Sequence, residues 1–75
     1  MKRHFKVSRS ELIHLIDEWV FSERDRYIAK RILCDDLTYE EVAIELDDMG
    51  KYLSIRQLKY IMRDVILILK EKDAF

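Results

Sequence analysis

An all-α fold, a small four-helix domain, follows from three features of the chain. Proline is absent and glycine occurs once in 75 residues, while 49% of residues are apolar and 39% charged. That mix argues against a disordered segment and against a sheet protein. A Ser or Thr followed three residues later by Glu, Asp or Gln occurs at four places: Ser8–Glu11, Ser22–Asp25, Thr38–Glu41 and Ser54–Gln57. In such a capping box the hydroxyl accepts from an orphan backbone N–H and the longer side chain reaches back to the cap. Behind each pair stands an apolar run with helical spacing. One pair is a weak signal; four, each opening an apolar run, agree across levels.

The first helix is expected over about Ser10 to Phe21, with Leu12, Leu15, Ile16, Trp19 and Val20 on one side. The second, about Glu23 to Cys34, buries Tyr27, Ile28, Ile32 and the Arg31 methylenes. The third, about Tyr39 to Asp47, offers Val42, Ala43 and Leu46. The fourth, about Ile55 to Lys72, offers Leu58, Ile61, Met62, Val65 and Leu69. No Gly-, Ser- or Pro-rich linker divides the chain, so residues 1–75 form a single domain. A chain this short buries only roughly 60–65% of its unfolded surface, which keeps its stability modest.

The single cysteine, Cys34, excludes an internal disulfide and any multi-cysteine metal site. The N-terminal MKRHFKVSR lacks an apolar h-region, and the run Val65 to Leu69 is too short to span a bilayer. The cytoplasm is the expected compartment, with no membrane partner.

Charge is informative by segment rather than in sum, since the formal net charge is −1. Residues 1–9 form a basic N-terminal arm with Lys2, Arg3, Lys6 and Arg9 and no acid. Asp35 to Asp48 carries seven acids and no base, whereas Lys51 to Lys72 carries six bases against Asp64 and Glu71. Arg56, Lys59 and Arg63 recur at spacings of three and four, so they share a helix face with Tyr60 beside them. A basic face with an aromatic residue suits phosphates and base edges. Charged stripes on small helices are also commonly no more than solvated faces. Two capped helices joined by a turn containing Gly50, over residues 38–69, have the outline of a helix-turn-helix whose second helix, about 55–69, enters the major groove.

The stretch LTYEEVAIEL, preceded by ERDRYIAKRILCDD, resembles the fourth region of sigma-70-type RNA polymerase sigma factors. The likeness runs from about Glu23 to Leu69, strongest over Leu37 to Leu46. The EWVFSERDR element is similar to small sigma-like regulators of phages and mobile elements. Nothing corresponds to a core-binding second region. The resemblance implies a DNA-binding transcriptional regulator whose partners are double-stranded DNA and RNA polymerase. It places Thr38 as cap of the preceding helix near the DNA backbone and Ser54 as cap of the recognition helix. Ile55 and Arg56 then lie at the exposed first turn, with Lys59 and Tyr60 one turn later facing the groove. Leu58 and Ile61 are the core-facing anchors. Arg56 suits a bidentate pair with guanine and Gln57 an adenine, although Gln57 also serves the capping box. Lys51, Lys59 and Arg63 suit phosphates, which position without specifying. The turn Asp47 to Leu53 is longer than the family's usual one.

The helix end Val65 to Leu69 reads VILIL, apolar nearly all round, and such a helix must be covered on every side. Burying each Ile or Leu contributes about 1.5–3 kcal/mol. A homodimer surface at Val65, Ile66, Ile68 and Leu69, or the core of a monomer, satisfies the requirement equally. A second function class is therefore a helical protein-interaction module, binding RNA polymerase, another regulator or itself without contacting DNA.

No enzyme is expected. His4 and His14 have no metal-ligand spacing with Cys34 or the acids. The adjacent pairs Asp35–Asp36 and Asp47–Asp48 have no positioned base or nucleophile beside them. One glycine cannot make a phosphate-cradling loop, so no cofactor is expected either. Cys34 reads as a small buried hydrophobe, and Trp19, Phe21 and Tyr27 as core.

Overall fold

The structure, a computed structural model, describes residues 5–75; Lys2, Arg3 and His4 of the expected basic arm lie outside them. Four helices and no strand make up the described residues: α1 (Arg9–Trp19), α2 (Glu23–Ala29), α3 (Tyr39–Asp48) and α4 (Ile55–Glu71). A π-helical turn, Lys30–Cys34, continues α2. All four expected caps are in place. The hydroxyls of Ser8, Ser22, Thr38 and Ser54 accept from the N–H groups of Glu11, Asp25, Glu41 and Gln57. At Thr38 and Ser54 the return bond is also made, closing complete capping boxes.

The apolar faces converge on one core. Leu12, Ile16 and Val20 of the α1 segment meet Ile28, Ala29, Ile32 and Leu33 of the α2 segment. Val42 and Leu46 of α3 and Leu58, Met62, Val65 and Leu69 of α4 close it. No polar or charged residue among those described is buried. None of the helices is long and apolar enough to cross a membrane.

Three expectations are corrected. Helix α1 stops at Trp19, so Phe21 falls in the α1–α2 link and stands 85% exposed instead of joining the core. Arg26 stitches that corner by donating to the carbonyls of Val20 and Phe21, both at 2.6 Å. Trp19 is 37% exposed, capped by the Lys72 ammonium 3.6 Å from its ring centroid. The VILIL run does not form one dimer surface. Val65 and Leu69 are buried in the chain's own core, because their spacing of four keeps them on the face shared with Leu58 and Met62. Ile66 and Ile68 lie half-buried on opposite flanks of α4, and Leu67 points outward at 52% exposure.

Helix ends are set by three residues in the left-handed region: Asp36 (φ 59°), Gly50 (φ 72°) and Asp73 (φ 62°). After α3, Gly50 N–H donates to Asp47 C=O (3.0 Å) and Lys51 N–H to Leu46 C=O (2.7 Å). This is a Schellman stop with glycine at its left-handed position. Asp73 repeats the arrangement after α4, with Ala74 N–H donating to Leu69 C=O at 3.0 Å. After the π turn, Leu37 N–H reaches Arg31 C=O at 3.0 Å, a version one residue wider. Left-handed φ costs a Cβ-bearing residue about 1–2 kcal/mol, less for Asp, against a smaller entropic cost for Gly. Asp36→Gly is therefore expected to stabilise the domain by about 0.5–1 kcal/mol, seen as a raised melting temperature. A lowered one would show that the Asp36 side chain contributes more than its backbone strain costs.

Phe5 and Lys6 are clasped to residues 73–75 beside the last turn of α4. Lys6 N–H donates to Ala74 C=O at 2.8 Å, Lys6 Nζ pairs with Asp73 at 3.1 Å, and the rings of Phe5 and Phe75 meet at 4.9 Å.

Candidate nucleic-acid interface

The α4 surface is built from its first turn. Ser54 Oγ accepts from Gln57 N–H (3.2 Å), and Gln57 Oε1 accepts from Ser54 N–H (2.9 Å). Both residues are thus committed to holding the helix start, which uses the Gln57 carbonyl that adenine recognition requires. Thr38 and Glu41 do the same for α3, at 3.1 and 3.0 Å. Ile55 is 37% exposed at the first α4 position.

At about 100° per residue, Arg56, Lys59, Tyr60, Arg63, Leu67 and Lys70 fall within an arc of roughly 100°. All six are exposed. The arc lies across the helix from buried Leu58, Met62, Val65 and Leu69; Ile61, the other expected anchor, is half-buried. Two tyrosine rings order the cations on this face. The Arg56 guanidinium carbon lies 5.9 Å from the Tyr60 ring centroid, and Lys59 Nζ lies 5.9 Å from that of Tyr39. Tyr39 opens α3, so the second contact joins the starts of α3 and α4. Lys51 is not brought to this face by any contact; it lines a cleft of about 400 Å³ with Asp17, Tyr27, Lys30 and Met49.

The partners of the cations separate two groups. Among the described residues, Lys6, Arg9, Arg24, Arg26, Lys30 and Arg31 each bond a carboxylate or carbonyl of this chain. Lys72 sits on Trp19. The cations left without a carboxylate or carbonyl acceptor are Lys51, Arg56, Lys59, Arg63, Lys70 and Lys72. Four of those six are on the outer face of α4. The outward side of α3 is opposite in sign, with Glu40, Glu41, Asp47 and Asp48 around Ile44, which is 63% exposed.

A charged network that sequence reasoning missed fixes α3 against the rest. Arg31, on the π turn, pairs with Glu45 of α3 and donates to Asp35 at 2.8 Å. Tyr27 donates to Glu45 at 2.9 Å, and Arg9 of α1 to Asp35 at 2.7 Å. Hydrogen bonds from Arg31, then from Tyr27, hold the Glu45 carboxyl below its ordinary range. Those from Arg31, then Arg9, lower that of Asp35. Burial, then the Glu45 carboxylate, raises the Tyr27 phenol, and burial pushes up the thiol of half-buried Cys34. The signal available in the sequence was position: Arg31 precedes Ile32 and Glu45 precedes Leu46, each at the edge of an apolar stripe.

Acid weakens this network. Both carboxyls are depressed on folding, so the unfolded chain takes up these protons at higher pH than the folded one. Their stabilisation is complete above the ordinary carboxylate range and disappears as pH falls through the folded-state values. Glu45→Gln is expected to melt lower than the parent at neutral pH and to lose less on acidification to about pH 3. Parallel losses in the two proteins would exclude the network as the source.

No protein-family model matches the chain, and no curated protein or solved structure does.

Proposed function

We propose that this chain is a sequence-specific, double-stranded-DNA-binding transcriptional regulator of the cytoplasm, resembling a free-standing sigma region-four domain. In this reading α3, the Gly50 turn and α4 act as a helix-turn-helix, with α4 as the recognition helix. The observation that carries it is the partition of cations. Where most of the other described bases bond carboxylates or carbonyls of the chain, those of the outer α4 face keep their donors for an external acceptor. A face with Arg56, Lys59, Tyr60 and Arg63 together meets phosphates electrostatically and base edges by hydrogen bonding. The acids of α3 disfavour approach from that side and orient the encounter, since like charges repel over about 10 Å at 0.1 M salt. RNA polymerase is the protein partner that the sigma likeness brings, and small regulators of phages and mobile elements are the corresponding setting.

The test is selection of bound sequences from a random duplex pool, followed by titration of the best binder with salt. A common recovered sequence is expected, with log affinity falling linearly against log salt. No enrichment, or salt-independent binding, would reject the reading. One feature favours the protein-interaction alternative: exposed Ile44 at the centre of the acidic α3 face, a small apolar contact inside a charged rim. That alternative predicts loss of partner binding on Ile44→Asp while DNA binding is absent throughout.

A further inference from the structure

We propose that Tyr60 is a positioning residue that holds Arg56 for a guanine, so that the sequence preference of the α4 face belongs to the pair. This rests on the DNA-binding reading above. Tyr60 follows Arg56 by four residues and so lies one helical turn above it on the same face. The two are 5.9 Å apart, within the range of a cation–π contact. Tyr60 is 54% exposed, and its hydroxyl has no partner among the described residues. Neither core packing nor a hydrogen bond therefore accounts for its place.

A guanidinium stacked by one flat face keeps its N–H fork free at the edge. Guanine presents O6 and N7 as paired acceptors in the major groove, and that fork matches them bidentately. Arg9, Arg24, Arg26 and Arg31 have forks already engaged within the chain. Arg56 combines an unspent fork with a tyrosine ring 5.9 Å from its guanidinium carbon. Gln57, its neighbour, has its carbonyl held by Ser54 and does not compete for the base. Lys59 rests on Tyr39, but an ammonium has no planar fork. It serves a phosphate, and the two tyrosine-held cations divide positioning from reading.

The experiment uses the full chain and the duplex recovered by selection, alongside the same duplex with 7-deazaguanine at each guanine in turn. That substitution removes the N7 acceptor and keeps O6. At one guanine the parent protein is expected to bind the altered duplex several-fold to tenfold more weakly. Arg56→Lys should abolish this discrimination. Tyr60→Phe, which keeps the ring, should preserve it. Tyr60→Leu should reduce it about two- to fivefold, the size of an exposed cation–π contact. Its salt slope should not change, because the phosphate contacts remain. Arg56 side-chain proton shifts in the free protein report the stack directly, displaced by the ring current in the parent and in Tyr60→Phe and not in Tyr60→Leu. Full discrimination by Tyr60→Leu overturns the proposal, as does equal weakening on both duplexes. Absence of any DNA binding by the parent instead overturns the DNA-binding reading, and this one with it.

Discussion

Leu58→Ala is expected to destabilise the domain by about 2–5 kcal/mol, the usual range for deleting a buried Leu side chain. Leu58 is fully buried on the first turn of α4, against the core formed with α2 and α3. A chain of this length has a total stability of only about 4–11 kcal/mol, so the variant keeps little reserve. Its melting temperature should fall by roughly 10–30 °C, and chemical denaturation should give the matching loss. A change below about 1 kcal/mol would mean that the core collapses around the missing side chain without cost.

Arg56→Ala combined with Lys59→Ala should do the reverse, leaving the fold intact while removing the proposed DNA binding. Both side chains are exposed and neither has an acceptor among the described residues, so the melting temperature should stay within a degree or two. On the proposed reading, losing one bidentate pair with a base and one cation from a phosphate weakens DNA binding on the order of 10- to 100-fold at moderate salt. The salt slope should become shallower by about 0.9 for each phosphate no longer neutralised. Arg24→Ala combined with Lys30→Ala is the charge-matched control, because those cations are spent on Asp25 and Asp17. Equal weakening in control and double variant would reduce the effect to bulk charge, and unchanged affinity would remove α4 as the DNA-contacting face.

The helix starts were legible in the sequence because capping is local. Ser8, Ser22, Thr38 and Ser54 need only the residue three positions on, and the structure makes all four bonds. The shared face of Arg56, Lys59, Tyr60 and Arg63 was legible for the same reason, since helical register alone places it. Contacts between elements were not. That Arg31 meets Glu45 depends on how α3 lies against α2, and fourteen residues separate them. The π turn was unreadable because it keeps the apolar composition of the helix it ends. Phe21 was misread because hydrophobicity suggested burial, whereas the chain leaves helical geometry at Val20. Val65 and Leu69 were placed by their spacing to Leu58 and Met62, and of the two readings open for VILIL the core one holds for them. The pairing of Arg56 with Tyr60 lay within reach, being an interaction across one helical turn.

The clasp of Lys6 and Phe5 on Ala74 and Phe75 has a practical consequence for experiments on this molecule. Residues 5 and 75 emerge side by side at the distal end of α4, roughly 25 Å along that helix from its first turn. A fluorophore carried on the side chain at position 75 stands clear of Arg56 and Lys59.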